Sequence, residues 1–371
     1  MGQGEALSRR TFGFRAAALS AGLTAPALSE RALAQLSYAG EPPAGAVLLN
    51  ANENPLGPCA EAMEAMTAVL KRGGRYLFGE VGRLGRTFAE VEGLRPEQVQ
   101  AFAGSSDPLH RIVLAFCGPE RCFVKADPGY EAGEWAARNV KARVHQVPLT
   151  KDYAHDVDAM LAAGGPNAGV FYLCNPNNPT GTLTPRAAIE RLVEKRPAGS
   201  IVLIDEAYIH FSDAKPCLDI ATTGKDVVVL RTFSKIYGMA GLRAGLAVAR
   251  PDLLEKLRFY GSGFLPTTGM AGAAASLRAS GVAAERKKYV REIREDTFEW
   301  MRGKGYSFVP SVSNKFMVDV KRPGREVMSQ LAAQNIYIGR SWPVWPTHVR
   351  VTIGTREEME QFKKAFARVM A

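Results

Sequence analysis

The stretch Arg231-Thr-Phe-Ser-Lys235-Ile-Tyr-Gly-Met-Ala-Gly-Leu-Arg243 decides how the chain is read. One lysine stands behind two hydroxyls, Thr232 and Ser234, and ahead of an arginine, after the apolar run Val227-Val-Val-Leu230. That layout suits a ligand carrying both an aldehyde and a phosphate. Lys235 can condense with the first, while Thr232, Ser234 and Arg243 hold the second. Ser-Lys pairs also occur on solvated surfaces, so support has to come from elsewhere in the chain.

Two upstream segments provide it. Asn175-Pro-Asn-Asn178-Pro-Thr-Gly181 follows the strand-like run Gly169-Val-Phe-Tyr-Leu-Cys174, and Ile201-Val-Leu-Ile-Asp205-Glu-Ala-Tyr208 ends four apolar residues on a carboxylate. Apolar runs of this length predict buried parallel strands. Ligands in open α/β sheets gather at the carboxyl ends of strands, so Asn178, Asp205 and Lys235 are predicted at one edge. A chain of 371 residues can bury the core of a two-domain α/β enzyme. Its Val/Ile/Leu-rich segments alternate with helical patterns such as residues 185–195, as βα units do.

Other chemistries lack their parts. A nucleotide hydrolase needs Gly-Lys-Ser/Thr, but the Gly-Lys pairs here continue as Gly224-Lys225-Asp226 and Gly303-Lys304-Gly305. No G-x-G-x-x-G opens a βαβ unit, no G-x-S-x-G elbow occurs, and the five histidines show no zinc spacing.

The chain resembles the fold-type I, pyridoxal-phosphate-dependent class I/II aminotransferases, histidinol-phosphate aminotransferase and its relatives above all. The resemblance runs from about residue 47 to the C-terminus. Its blocks, in order, are Leu49-Asn-Ala-Asn52-Glu-Asn54-Pro-Leu-Gly57-Pro58, Ser105-Ser-Asp107, Asn178-Pro-Thr-Gly181, Asp205-Glu-Ala-Tyr208, Ser234-Lys235 with Arg243, and Val349-Arg350-Val-Thr-Ile-Gly-Thr355. It implies an α/β fold: a three-layer αβα large domain with a mostly parallel sheet, plus a smaller α/β C-terminal domain. The large, cofactor-binding domain is expected at 61–255 and the small one at 256–371, joined by part of an N-terminal arm at 35–60.

The resemblance also implies roles. Lys235 would hold the cofactor and then carry the proton from the substrate's Cα, which requires a neutral amine favoured by burial and nearby positive charge. Asp205 would pair with the ring nitrogen, while Asn178 and Tyr208 would bond the phenolic oxygen. Ser105, Ser106, Thr232, Ser234 and Arg243 would cradle the phosphate at a helix start; an ordinary helix cap explains Ser105 and Ser106 equally well. Pro108 departs from the family's usual acidic residue. Gly133 stands where the family has the aromatic that covers the ring, leaving Tyr130 or Trp135 for that place. Arg350 matches the carboxylate clamp, and Arg340 matches an arginine near the substrate's far end. Trp342 and Trp345 could form an apolar pocket wall or a packed turn. Asn52 and Asn54 are expected near the entrance. Tyr76 matches a tyrosine that reaches the neighbouring subunit's cofactor, although Leu77 replaces the usual proline; this implies a homodimer with shared sites.

The first 34 residues read separately. Ser8-Arg9-Arg10-Thr11-Phe12 resembles a twin-arginine export signal, with Gly13 in place of leucine. A short apolar stretch at 16–28 and a cleavage site at Ala32-Leu-Ala34 follow, so the enzyme is expected to be exported to the periplasm by that machinery. Net charge is +10, or +8 without this segment's four arginines and two glutamates, which favours small anionic substrates. No basic helix or interleaved stacking motif points to nucleic acid. Five cysteines, one in a strand-like run, predict no disulfide framework. The expected reaction moves an amino group from histidinol phosphate or an aromatic amino acid to a 2-oxo acid such as 2-oxoglutarate. A decarboxylase or a non-catalytic binding protein on the same scaffold are the alternatives.

Overall fold

The computed structural model describes residues 42–371 apart from Ser262. The export segment expected at 1–34 and the start of the arm lie outside the described residues. In chain order the strands are β1 (Val47–Leu49), β2 (Val99–Phe102), β3 (Cys122–Asp127), β4 (Val144–Pro148), β5 (Ala168–Cys174), β6 (Ile201–Asp205), β7 (Val227–Thr232), β8 (Gly245–Val248), β9 (Ser307–Val309), β10 (Lys315–Asp319), β11 (Ile336–Ile338) and β12 (His348–Thr352).

The apolar runs around Asp205 and Lys235 form the middle of a seven-stranded sheet, ordered β2-β8-β7-β6-β5-β3-β4. From β7 to β4 the pairs are parallel, and β8 runs antiparallel to both β7 and β2. Every residue of β5, β6 and β7 is buried, which is why these strands read as unbroken apolar runs. Helices Ser106–Phe116, Ala132–Asn139, Val157–Gly164 and Arg186–Lys195 lie in the crossovers. Register sets Cys174 beside Asp205, and Asp205 beside Leu230. Three strands therefore end level, in the crevice where such sheets bind ligands.

A second, antiparallel sheet has the order β12-β10-β9, and β1 pairs in parallel with β11. The segment leading to Asn52 is thus built onto the C-terminal part of the chain. The last helix, Arg356–Met370, starts from a capping box: Thr355 Oγ1 accepts from the Glu358 amide, and the Glu358 carboxylate accepts from the Thr355 amide. Helix Thr267–Arg278 carries small residues on the side that meets helices Ala60–Leu70 and Phe78–Glu92.

Two glycines bring the loop after β2 against β8. Gly104 has φ +85°, and a Cβ there would strike the Arg243 guanidinium; a Cβ on Gly245 would strike the backbone of Gly104 and Ser105. Among the described residues all five cysteines are free, and no helix is long and apolar enough to cross a membrane.

Candidate active site

Strand alternation sorts the polar residues at the sheet edge. Asp205 and Thr232 line the crevice, whereas their neighbours Glu206 and Arg231 do not and pair with each other at 3.2 Å within the core. The loop that carries Lys235 is pinned by buried Phe233, Ile236 and Met239. Phe233 bonds the Ala244 carbonyl, Met239 returns to the Phe233 carbonyl, and Thr232 Oγ1 lies 2.9 Å from Ser234 Oγ.

These elements close a cavity of about 240 Å³ lined by Asn52, Ser105, Ser106, Tyr130, Asn178, Asp205, Tyr208, Thr232, Ser234, Lys235, Arg243, Arg340 and Arg350, with Ala51, Cys174, Ala207 and Ala240. The site residues expected from the sequence are brought together there, apart from Tyr76 and Asn54. Tyr76 is 69% exposed and stacks on Phe78 and Phe264, outside this cavity. Tyr130, not Trp135, is the aromatic at the cavity. At Gly133, where the resemblance implied an aromatic, a Cβ would run into the Phe123 ring, so a side chain there requires that ring to shift.

At one end are the hydroxyls. Ser105 begins helix Ser106–Phe116 yet makes no side-chain capping bond, and Asp107 in the first turn is engaged by Arg111 at 2.6 Å. Among the described residues the Arg243 guanidinium reaches only carbonyl acceptors, Ala240 at 2.9 Å and Ala103 at 3.5 Å. A cation with no carboxylate among them, beside hydroxyls and a helix start, is complementary to a phosphate.

In the centre, the Asp205 carboxylate is buried and accepts from the Tyr172 hydroxyl (3.0 Å) and the Ala207 amide (3.1 Å). Burial raises its pKa to about 6, against the pull of those bonds and of Lys315 and Lys235. Lys235 Nζ donates to the Ala51 carbonyl at 3.3 Å.

At the other end, Asn52 Nδ2 donates to Tyr208 Oη at 3.1 Å, and Arg350 donates to Asn178 Oδ1 (3.0 Å) and the Asn50 carbonyl (2.6 Å). Arg350 Nε has no hydrogen-bond partner among the described residues, and burial lowers the Arg350 pKa to about 10, with Arg340 adding to the effect. Asn54 lies outside the lining and ties the arm down by donating to the Ile236 carbonyl. Trp342 is packing: it is buried, and its indole donates to the Gly129 carbonyl at 3.2 Å. Trp345 sits edge-on against Tyr153.

Two charged residues at the site went unnoticed in the sequence. Lys315 is wholly buried, donates to Ser313 Oγ at 3.0 Å and lies 3.1 Å from the centre of the Tyr208 ring. Burial pushes its pKa well below the usual lysine range. Glu131 pairs with Arg340 at 2.6 Å.

The family described as aminotransferase class I and II matches residues 44–366. The chain belongs to that family. It is 32% identical over 332 residues to a histidinol-phosphate aminotransferase of Moorella thermoacetica, covering 88% of this chain and 86% of the relative. It is 35% identical over 325 residues to an aromatic amino acid aminotransferase of Nocardia farcinica, covering 86% and 90%. The crystal structure of histidinol-phosphate aminotransferase from Sinorhizobium meliloti, in complex with pyridoxal-5'-phosphate, superposes with a TM-score of 0.84 at 23% identity, covering 99% and 98%. The protein is thus an aminotransferase of the fold-type I class, with pyridoxal phosphate as its cofactor. Its cavity fits that group: a carboxylate-free arginine among hydroxyls at one end, a buried carboxylate in the middle and an amine between.

Because the folded pKa of Asp205 is raised, its contribution to stability is present below the ordinary carboxylate range and is lost as pH rises through about 6. In the cofactor-free aminotransferase, Asp205→Asn is expected to raise unfolding free energy at neutral pH by up to roughly 3 kcal/mol, with the gain fading towards about pH 4. Urea melts at several pH values measure this; a gain that does not change with pH would contradict it.

Proposed function

We propose that the aminotransferase takes its amino group from an aromatic amino acid or from histidinol phosphate and passes it to a 2-oxo acid such as 2-oxoglutarate. The observation that carries this reading is the joint lining of one cavity by Lys235, Asp205, Arg243 and Arg350. Pyridoxal phosphate, when bound, supplies an aldehyde for the amino group and a ring that accepts electrons from the broken Cα–H bond. Asp205 would hold the ring nitrogen in its protonated form, Asn178 and Tyr208 would bond the phenolic oxygen, and Tyr130 would lie against the ring. Ser105, Ser106, Thr232, Ser234 and Arg243 would hold the phosphate, and Arg350 would receive the substrate carboxylate with Asn52 beside it. Lys235 Nζ would accept and return the substrate's Cα proton, which is general acid–base work. The named relatives are aminotransferases, and nothing among them supports a decarboxylase.

Purified protein mixed with pyridoxal phosphate is expected to show a visible absorbance band that Lys235→Ala lacks. A productive donor should bleach the band and a 2-oxo acid restore it. Carbon dioxide release without restoration would replace this reaction with decarboxylation, and absence of any band would overturn the proposal.

The reading extends to assembly. Tyr76, Phe78 and Phe264 are exposed and in ring contact through Tyr76, and an exposed aromatic cluster of that kind suits a contact surface. In a homodimer with shared sites, Tyr76 would complete the partner's phosphate end. Mixing inactive Lys235→Ala chains with impaired Tyr76→Ala chains, unfolded and refolded together, should then regain activity, because one site of each mixed dimer holds both residues. No recovery would place Tyr76 outside the active site.

Export rests on Arg9 and Arg10. Replacing both by lysine should leave the enzyme in the cytoplasmic fraction of a bacterial host that otherwise delivers it to the periplasm. Unchanged fractionation would remove the twin-arginine assignment.

A further inference from the structure

The two arginines at the substrate end of the cavity are in opposite electrostatic states. Arg350 has amide and carbonyl acceptors but no carboxylate, and one of its nitrogens is unpaired among the described residues. Arg340 is neutralised: its Nη2 donates to Glu131 Oε2 at 2.6 Å, with the two side chains 11% and 13% exposed. The geometry is fixed from both sides. The Arg340 guanidinium lies 4.3 Å from the centre of the Trp342 ring, and that indole is anchored on the Gly129 carbonyl in the turn that carries Glu131.

This arrangement bears on charge. A phosphate monoester beside Arg340 would either face the Glu131 carboxylate or have to displace it, and breaking a largely buried ion pair is costly. One face of the guanidinium lies against Trp342, and its Nη2 is held by Glu131. A substrate reaching this end meets a cation whose charge is already matched, which suits an uncharged ring better than a second anion. Arg350, by contrast, has capacity for one carboxylate.

Resting on the aminotransferase reading above, we propose that Glu131 sets the charge selectivity of the site, so that it selects amino acids with one carboxylate and an uncharged aromatic side chain over phosphate-bearing amines. Glu131 is a specificity residue that acts through Arg340, by rejecting the unwanted charge as much as by favouring the wanted one.

The test uses the cofactor-loaded enzyme and follows bleaching of its visible band in single turnover, which needs no acceptor. The donors are L-phenylalanine and L-histidinol phosphate, compared in wild type, Glu131→Gln and Glu131→Asp. Wild type should favour phenylalanine. Glu131→Gln should shift the ratio of specificity constants towards histidinol phosphate on the order of tenfold or more, chiefly through the half-saturating concentration, and Glu131→Asp should retain much of the wild-type preference. A wild-type preference for histidinol phosphate, or the same ratio in Glu131→Gln with its band intact, would overturn the proposal while leaving the aminotransferase standing. Failure of either donor to bleach the wild-type band, with every other amino donor also inert, would sink both.

Discussion

Everything at the catalytic edge depends on keeping a carboxylate where burial opposes its charge. Asp205 ends a strand flanked on both sides by buried parallel strands, and its ionised form survives only through what surrounds it. The Tyr172 hydroxyl, the Ala207 amide and the positive charges of Lys315 and Lys235 all favour the anion; burial outweighs them and leaves the pKa raised. On the proposed assignment, a cationic ring nitrogen bound there would supply the counter-charge that the protein alone does not, and would tie cofactor affinity to the protonation state useful for catalysis.

The second constraint is closure across the fold. Asn52 sits among Tyr208, Asn178 and Thr352, its amide donating to Thr352 Oγ1 and its carbonyl accepting from Asn314. Arg350 reaches from β12 to Asn178 beside the large sheet and to the Asn50 carbonyl on the arm. Three distant parts of the sequence therefore meet at one end of the cavity. Shifting the small sheet would break the bonds of Arg350 to Asn178 and of Asn52 to Tyr208 together, so the geometry of this end is coupled to the seating of the small sheet on the large one.

Legibility in the sequence followed the range of the interactions. β6 and β7 were readable because strands buried on both faces leave unbroken apolar runs, and a polar residue ending such a run has only the sheet edge to occupy. The Glu131–Arg340 pair spans 209 positions and leaves no local pattern. Gly133 read as a departure from the family, but its meaning lay in Phe123 on the adjacent strand, whose ring fills the space a side chain would need. Lys315 was hidden for another reason: a lysine within Asn314-Lys-Phe-Met carries no local sign of burial, yet the whole of β10 up to Val318 is buried. Tyr76 lies apart from the cavity, exposed beside Phe78 and Phe264, and the assignment read for it depends on a second copy of the chain.

Lys315 shows what the site demands of its ligands. An ammonium on an aromatic face is a favourable contact, but a wholly buried amine with one hydroxyl acceptor is poorly compensated, and Arg350 and Lys235 push against it as well. Around the single Asp205 carboxylate the protein has thus gathered Lys235, Lys315, Arg243 and Arg350, with Arg340 already matched by Glu131. Such a gathering of basic groups favours anions. On the proposed assignment, a phosphate at Arg243 and one carboxylate at Arg350 would answer it at opposite ends of the cavity, and binding them would also stabilise the fold. A second negative charge at the Arg340 end has no equivalent cation waiting for it, and the site's appetite for anions stops there.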